Sequence, residues 1–339
     1  MGQKGYDSVE HYHIYHHTVP PFLQVFAQAP AVQRLKRIGM NCGCEYTSFP
    51  LFGHLESYSR YDHSFGVALI VWHFTQSCPQ SVSGLLHDIA TPVFAHVIDF
   101  MNGDYLKQDS TEAGTEKMIY DSPELQECLR QFGLKNTDVS DYHQYPVADN
   151  DSPRLSADRL EYSLGNMLNF GFCSMDTIKT IYDDLTVGHN ETGQDELIFR
   201  ATDTAETFAM TALKCSGIYV SDEDRYAMQI LSEILRSALL RGIIAADDLY
   251  TTEPEVISKL SQDKQAAAQW NDFCSLKRIT RSKSKAATGN WRQIDAKRRF
   301  IDPIVRGKGR LSTLSPSFKQ SLDSFISTKL DYWICGNSR

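Results

Sequence analysis

The sequence predicts a mainly helical, all-α protein, and two observations carry that prediction. Apolar residues recur at helical spacing along most of the chain. One clear interruption, Asp184–Phe199, holds Gly188-His189-Asn190-Glu191-Thr192-Gly193 and reads as a short hairpin between two helices. A third observation bears on function. His63, the adjacent pair His87-Asp88, and Asp158 all fall in apolar helical settings, where an ionisable group needs a reason to be.

Taken in order, the spacing predicts helices near 30–38, 59–77, 80–90, 92–101, 110–132, 153–169, 174–183, 201–219, 222–243, 253–261, 263–276 and 314–330. A second hairpin is expected between Lys277–Ser282 and Trp291–Phe300, across a loop rich in Ser, Lys, Ala, Thr and Gly. The expected organisation is an N-terminal extension at 1–19, a catalytic core at 20–200, and a helical extension at 201–339 packed on that core. No internal repeat or heptad pattern is present.

Composition bounds the function. No run approaches ~20 apolar residues, which excludes a transmembrane helix, and the N-terminus lacks the pattern of a signal peptide. Eight scattered cysteines form no paired framework and read as reduced thiols, so a cytoplasmic location is expected. Cys42-Gly43-Cys44 has no matching Cys or His pair at zinc spacing and reads as small residues in a turn. The run His11-Tyr12-His13-Ile14-Tyr15-His16-His17 contains no carboxylate and precedes Pro20-Pro21; it reads as an extension rather than a metal cluster.

Charge is uneven. The total is −8, yet residues 277–310 hold twelve Lys and Arg against Asp295 and Asp302, a net of +10 that leaves −18 on the rest. Three readings of this stretch stand: a solvated structural pair of strands, a source of cations for an anionic substrate, or a nucleic-acid surface.

The chemistry gathers on the four polar residues. Val67, Ile70, Val71 and Phe74 follow His63 by four, seven, eight and eleven residues, which places the imidazole on a buried helical stripe. His87-Asp88 ends the apolar run Val82 to Leu86, and Asp158 shares a helix face with Leu155 and Tyr162. Two buried carboxylates beside two imidazoles argue for a shared metal ion with one or two positions open for hydrolytic work.

The order His, His-Asp, distant Asp resembles the HD-domain metal-dependent phosphohydrolases, and the flanks match. Arg60-Tyr61-Asp62-His63-Ser64 with Gly66-Val67 is similar to that family's R-[FY]-[ED]-H-S-x-G-V segment. Gly84-Leu85-Leu86-His87-Asp88-Ile89, with Pro92, Phe94 and His96, is similar to L-L-H-D-I-G-H-x-P-F-S-H. Asp158-Arg159-Leu160-Glu161-Tyr162 is similar to D-[RK]-[LW]-[DE]-Y. Gln33-Arg34-Leu35-Lys36-Arg37-Ile38 resembles a stretch of the deoxynucleoside-triphosphate triphosphohydrolase (dGTPase-like) branch, and the likeness runs from about Pro20 to Arg299-Phe300-Ile301-Asp302-Pro303.

The resemblance implies an all-α HD-domain fold and one divalent ion (Mn, Fe, Mg, Zn, Co or Ni) on His63, His87, Asp88 and Asp158. It implies catalytic roles for Asp88, Glu112 and His96, the last as the acid for the leaving oxygen. Arg60, Thr91, Arg159, Tyr162 and Asn166 are the expected substrate-binding residues, with salt bridges to Asp62 or Glu161 as the structural alternative for the two arginines. Two departures stand out. Thr91 replaces a histidine four residues after the HD histidine, and Thr111-Glu112-Ala113-Gly114 stands where the triphosphohydrolases carry H-E-x-G. A hydroxyl binds a phosphate oxygen but does not titrate near neutrality.

The first function class is therefore a phosphohydrolase acting on a nucleotide or related phosphate ester, with no membrane partner and an expected homo-oligomeric state. The alternative is a catalytically altered protein that binds a nucleotide or other anion in a regulatory role. An iron-dependent oxygenase is disfavoured, because Thr111 leaves the chain short of the histidines a diiron site needs.

Overall fold

A computed structural model describes residues 8–103, 106 and 114–338. It is mainly helical, with short strands only, and the helix Arg60–Thr75 is its central element. Ser59 caps that helix: its hydroxyl accepts from the Asp62 N–H at 3.2 Å, and the Asp62 carboxylate accepts from the Ser59 N–H at 2.9 Å. Val67, Ala68, Leu69, Ile70 and Val71 are all fully buried, so the middle of the helix is apolar all round and packs on every side.

Two neighbours fix the site-bearing end of this helix, and each contact depends on a glycine. Gly84, in the helix Cys78–Leu86, faces Val67; a Cβ there would stand 3.2 Å from Val67 Cγ1. Gly66 faces the helix Ala157–Asn169, where a Cβ would lie 2.7 Å from Glu161 Cγ. The missing side chain at Gly66 thus makes room for a buried carboxylate beside His63.

Several boundaries differ from the sequence reading. The expected helix at 92–101 starts at Val97, because Phe94 and Ala95 take left-handed backbone conformations (φ 58° and 45°). Within 110–132, Pro123 separates Thr115–Asp121 from Pro123–Phe132. The helix expected from 153 begins at Ala157, capped by Ser156. The N-terminal histidine run is largely helical, over Ser8–Tyr15, and is packed: Tyr15 is fully buried.

The Leu185–His189 and Asp195–Phe199 hairpin forms as expected and is extended by Ile304–Val305 and Gly309–Arg310. The second expected hairpin is a correction. Arg278–Ser282 pairs antiparallel with Trp333–Asn337 instead of with 291–300. The cause is burial: Ile334 and Cys335 of the C-terminal strand are buried, whereas residues 283–290 are exposed.

Two large apolar clusters make up most of the interior, beside a small one at Tyr58 and Leu168. One surrounds Arg60–Thr75 and takes in Ala205, Phe208 and Ala212 of the helix Thr202–Tyr219. The other joins Phe49, Val93, Phe94 and Val97 to Leu231 and Leu235 of the helix Asp222–Leu240 and to Trp270. No helix among the described residues is long and apolar enough to cross a membrane.

Candidate metal centre and its cavity

His63 sits in the first turn of Arg60–Thr75, His87 and Asp88 follow the end of Cys78–Leu86, and Asp158 opens Ala157–Asn169. The fold brings these three helix ends together. His63 Nε2 lies 3.0 Å from Asp158 Oδ1 and 3.9 Å from Asp88 Oδ2. His87 Nε2 lies 3.6 Å from Asp88 Oδ2 and 3.7 Å from Asp158 Oδ1.

The opposite nitrogens are tied down. His87 Nδ1–H donates to the Gly84 carbonyl at 2.7 Å, which leaves Nε2 facing Asp88 and Asp158. His63 Nδ1 meets Glu161 Oε2 at 2.6 Å, and Glu161 also accepts from the Tyr58 hydroxyl at 2.5 Å and the Tyr15 hydroxyl at 3.3 Å. Glu161 is therefore the residue that orients His63, a role the sequence reading missed; its place three positions after Asp158 on one helix was the available signal.

The electrostatics fit a bound cation. Burial lowers the proton affinity of His63, but hydrogen bonds to Asp158 and Glu161 outweigh it and push its pKa up to about 10. Burial raises Asp88, yet Arg60, His87 and His63 hold it well below the usual carboxylate range. Asp158 follows the same pattern, with burial opposed by His63, His87 and Arg159. A proton on His63 thus supplies the positive charge that the two carboxylates require. Ligand atoms each about 2.1 Å from one ion stand roughly 3.0–3.4 Å apart. The His63–Asp158 separation of 3.0 Å lies in that range, and the other three are wider at 3.6–3.9 Å. His63, His87 and Asp88 form the tightest group. The residues present fit a divalent metal.

Arg60, Thr91, His96, Tyr162 and Asn166 line one cavity with these four residues. Arg60 Nη1 donates to Asp88 Oδ2 at 2.9 Å, and so pairs with a candidate ligand instead of Asp62. The Thr91 hydroxyl donates to Asp88 Oδ1 at 2.8 Å; its proton is engaged by that carboxylate and is not offered to a phosphate. His96 Nδ1 meets Asp99 Oδ2 at 2.9 Å, while burial, Arg299 and Arg60 push the ring down to about 4.

Arg159 is placed elsewhere. Its guanidinium donates to the Arg154 carbonyl at 2.7 Å and to Asn150 Oδ1 at 2.6 Å, and it stands 3.1 Å from Asp149. It does not line the cavity, and it does not pair with Glu161. Thr111 and Glu112 lie outside the described residues.

The cavity also takes residues that the motifs did not single out. Tyr142 places its ring 4.9 Å from that of His87. Lys297 and Arg299, from the basic stretch, line the same space, as do Asp224, Tyr219 and Phe170. Two cations facing this cavity favour the substrate-anion reading of that stretch for its 297–299 portion.

No family model matches the chain. It is 27% identical over 250 residues to the uncharacterized protein YdhJ of Bacillus subtilis, covering 73% of each chain. It is 26% identical over 165 residues to the metal-dependent phosphohydrolase cns2 of Cordyceps militaris, which covers 49% of this chain and 46% of that protein. The crystal structure of the phosphohydrolase BT4208 from Bacteroides thetaiotaomicron superposes with a TM-score of 0.65 at 15% identity, over 95% of this chain and 97% of that one. A hypothetical protein from Aquifex aeolicus gives 0.65 at 16% identity, over 94% and 93%. The chain shares the mainly helical fold of these two structures.

Proposed function

We propose that the protein is a metal-dependent phosphohydrolase acting on a nucleotide or a related phosphate ester, with one divalent ion held by His63, His87, Asp88 and Asp158. The observation that carries this reading is the convergence of two imidazole nitrogens and two carboxylates, with both remote nitrogens anchored. A divalent ion bound there supplies a water of lowered pKa and polarises a phosphoryl oxygen.

The chain's own residues do the rest. Lys297 and Arg299 attract and orient the phosphoryl group, and Arg60 holds Asp88 in place while adding positive charge beside it. The new P–O bond forms to the oxygen of water and the ester P–O bond breaks. His96 takes up a proton from solvent at Nε2 as the phosphate binds and delivers it to the leaving oxygen, Nδ1 being engaged by Asp99, while the proton given up by the attacking water returns to solvent. His96 is neutral in the empty cavity at pH 7, and an arriving phosphate dianion raises its proton affinity against Arg299.

Loss of two imidazoles at Thr91 and Thr111 supports a substrate smaller than, or different from, a deoxynucleoside triphosphate. Each lost charge-assisted hydrogen bond is worth about 1.5–3 kcal/mol. Purified protein loaded with Mn²⁺, Mg²⁺, Fe²⁺, Co²⁺ or Ni²⁺ and offered nucleoside mono- and triphosphates tests the reading, with products identified by mass. Inorganic phosphate from a monoester is expected, with little or no inorganic triphosphate from any deoxynucleoside triphosphate. The second reading, an anion-binding regulator, draws on the low proton affinity of His96; ligand binding without turnover under every metal would favour it.

A further inference from the structure

The cavity has a second chemical character away from the metal cluster. Its wall there comes from Phe52, Phe170, Ile218 and Met228, which offer broad apolar surface. Asp224 interrupts that surface from the first turn of Asp222–Leu240. Its neighbour Arg225 is engaged elsewhere: it pairs with Asp222 at 2.6 Å and donates to the Ile294 carbonyl. The same Asp222 accepts from the Tyr332 hydroxyl at 2.9 Å and from Arg281. This network pins the start of the helix and leaves the Asp224 carboxyl with one hydrogen-bond donor, the Cys44 thiol at 3.7 Å.

A thiol is a weak donor, so a carboxyl in this setting holds unused accepting capacity at considerable desolvation cost. Burial pushes Asp224 up to about 7, opposed by the Cys44 thiol and by Arg225. Asn166 adds a second acceptor on the same cavity. Its Nδ2 donates to the Tyr219 hydroxyl at 2.7 Å, and its Oδ1 is buried with no partner.

We infer that Asp224, aided by Asn166 Oδ1, forms a subsite that accepts hydrogen bonds from the exocyclic amino group of a planar nitrogen heterocycle carried by the substrate. This deepens the phosphohydrolase reading and rests on it. A phosphorylated ligand places its anion against Arg60, Lys297 and Arg299, and an acidic group in the same cavity repels that end. The carboxyl therefore selects for the ligand's other end, where aromatic and thioether surfaces favour a flat ring and the two acceptors demand N–H donors. A ring without an amino group leaves Asp224 desolvated and unmatched, and discrimination is strongest in that case.

Binding of nucleosides that lack phosphate tests this independently of turnover. Adenosine, cytidine and guanosine are compared with purine riboside, which keeps the ring and loses the amine, by calorimetry on the full chain. The wild type is expected to bind adenosine about tenfold or more tighter than purine riboside. Asp224→Leu should erase the difference, and Asp224→Asn, which keeps a carbonyl acceptor, should retain part of it; circular dichroism checks that both variants fold. Equal wild-type affinities for adenosine and purine riboside, no nucleoside binding at all, or undiminished discrimination in Asp224→Leu would overturn the subsite. Phosphate release from the matching monophosphates is read separately. Amine-selective binding without release overturns the phosphohydrolase reading and supports the subsite, whereas release indifferent to the amine does the reverse.

Discussion

At the metal end of the cavity three of the four candidate ligands are held by a second group: His63 by Glu161, His87 by the Gly84 carbonyl, and Asp88 by both Arg60 and Thr91. Along the wall that includes Ile218, Asp224 and Met228, Asp224 has a single thiol donor. On that same cavity Asn166 Oδ1 has no partner. Anchored side chains are held to one geometry, whereas unfilled acceptors wait for a ligand. The contrast separates two tasks. Under the proposed function the first region sets the chemistry and the second chooses the molecule, and mutations should divide between them.

The largest effect is expected from the ligands themselves. His87→Ala or Asp88→Ala should abolish metal retention and turnover while helical content persists, because the surrounding apolar residues remain. Elemental analysis showing full metal occupancy in either variant would break the assignment. Next comes His96→Ala, expected to lower turnover by roughly a hundredfold or more with metal content unchanged. A poor leaving group should suffer more than p-nitrophenolate; equal losses on both would make His96 a binding residue.

Smaller effects sharpen the division. Arg299→Ala should reduce kcat/KM by about 10- to 100-fold, the worth of one charge-assisted hydrogen bond, with metal affinity intact. Glu161→Gln should do the converse. It keeps the shape but weakens the anchor on His63 Nδ1, and changes of this kind typically cost 10–100-fold in metal affinity. Excess metal should then restore much of the activity, and a Glu161→Gln enzyme with wild-type metal affinity would show that His63 needs no anchor.

Much of the metal end was legible in the sequence because each ligand is local to a helix end and carries its neighbours with it. His63 sits four residues before Val67, and Gly66 clears space for Glu161, so spacing and a small residue together encode the contact. The wall was not legible. Asp224 reads as a helix-start residue beside Asp222, Glu223 and Arg225, and only the long-range pairing of Arg225 with the Ile294 carbonyl shows that Asp224 is left over. Arg159 shows the opposite failure. It stands beside Asp158 in the motif, but a helical step of about 100° turns it away toward Asn150 and Asp149. The strand Arg278–Ser282 met its partner more than fifty residues later, a pairing that local turn chemistry does not specify.

The smallest predicted effect lies in the loop that carries Met40, Asn41 and Cys42 into the cavity. Gly39 N donates to Glu253 Oε1 at 2.9 Å and the Tyr46 hydroxyl donates to Glu253 Oε2 at 2.8 Å. Glu45 faces the same carboxylate with a buried, unpartnered Oε2. Burial first, and the Glu253 charge second, raise the pKa of Glu45 above its ordinary value of 4.5. The folded protein then holds a proton that the unfolded chain has released, so stability falls as pH rises from that ordinary value through the raised one. Glu45→Gln keeps the shape and removes the titration. Its melting temperature relative to wild type should therefore improve between pH 5 and pH 8, by about 1–3 °C for a chain of this size. An offset that is the same at both pH values would mean that Glu45 is already ionised in the folded state. The pair would then be tying the loop to the helix Glu253–Gln262 through Glu253 alone.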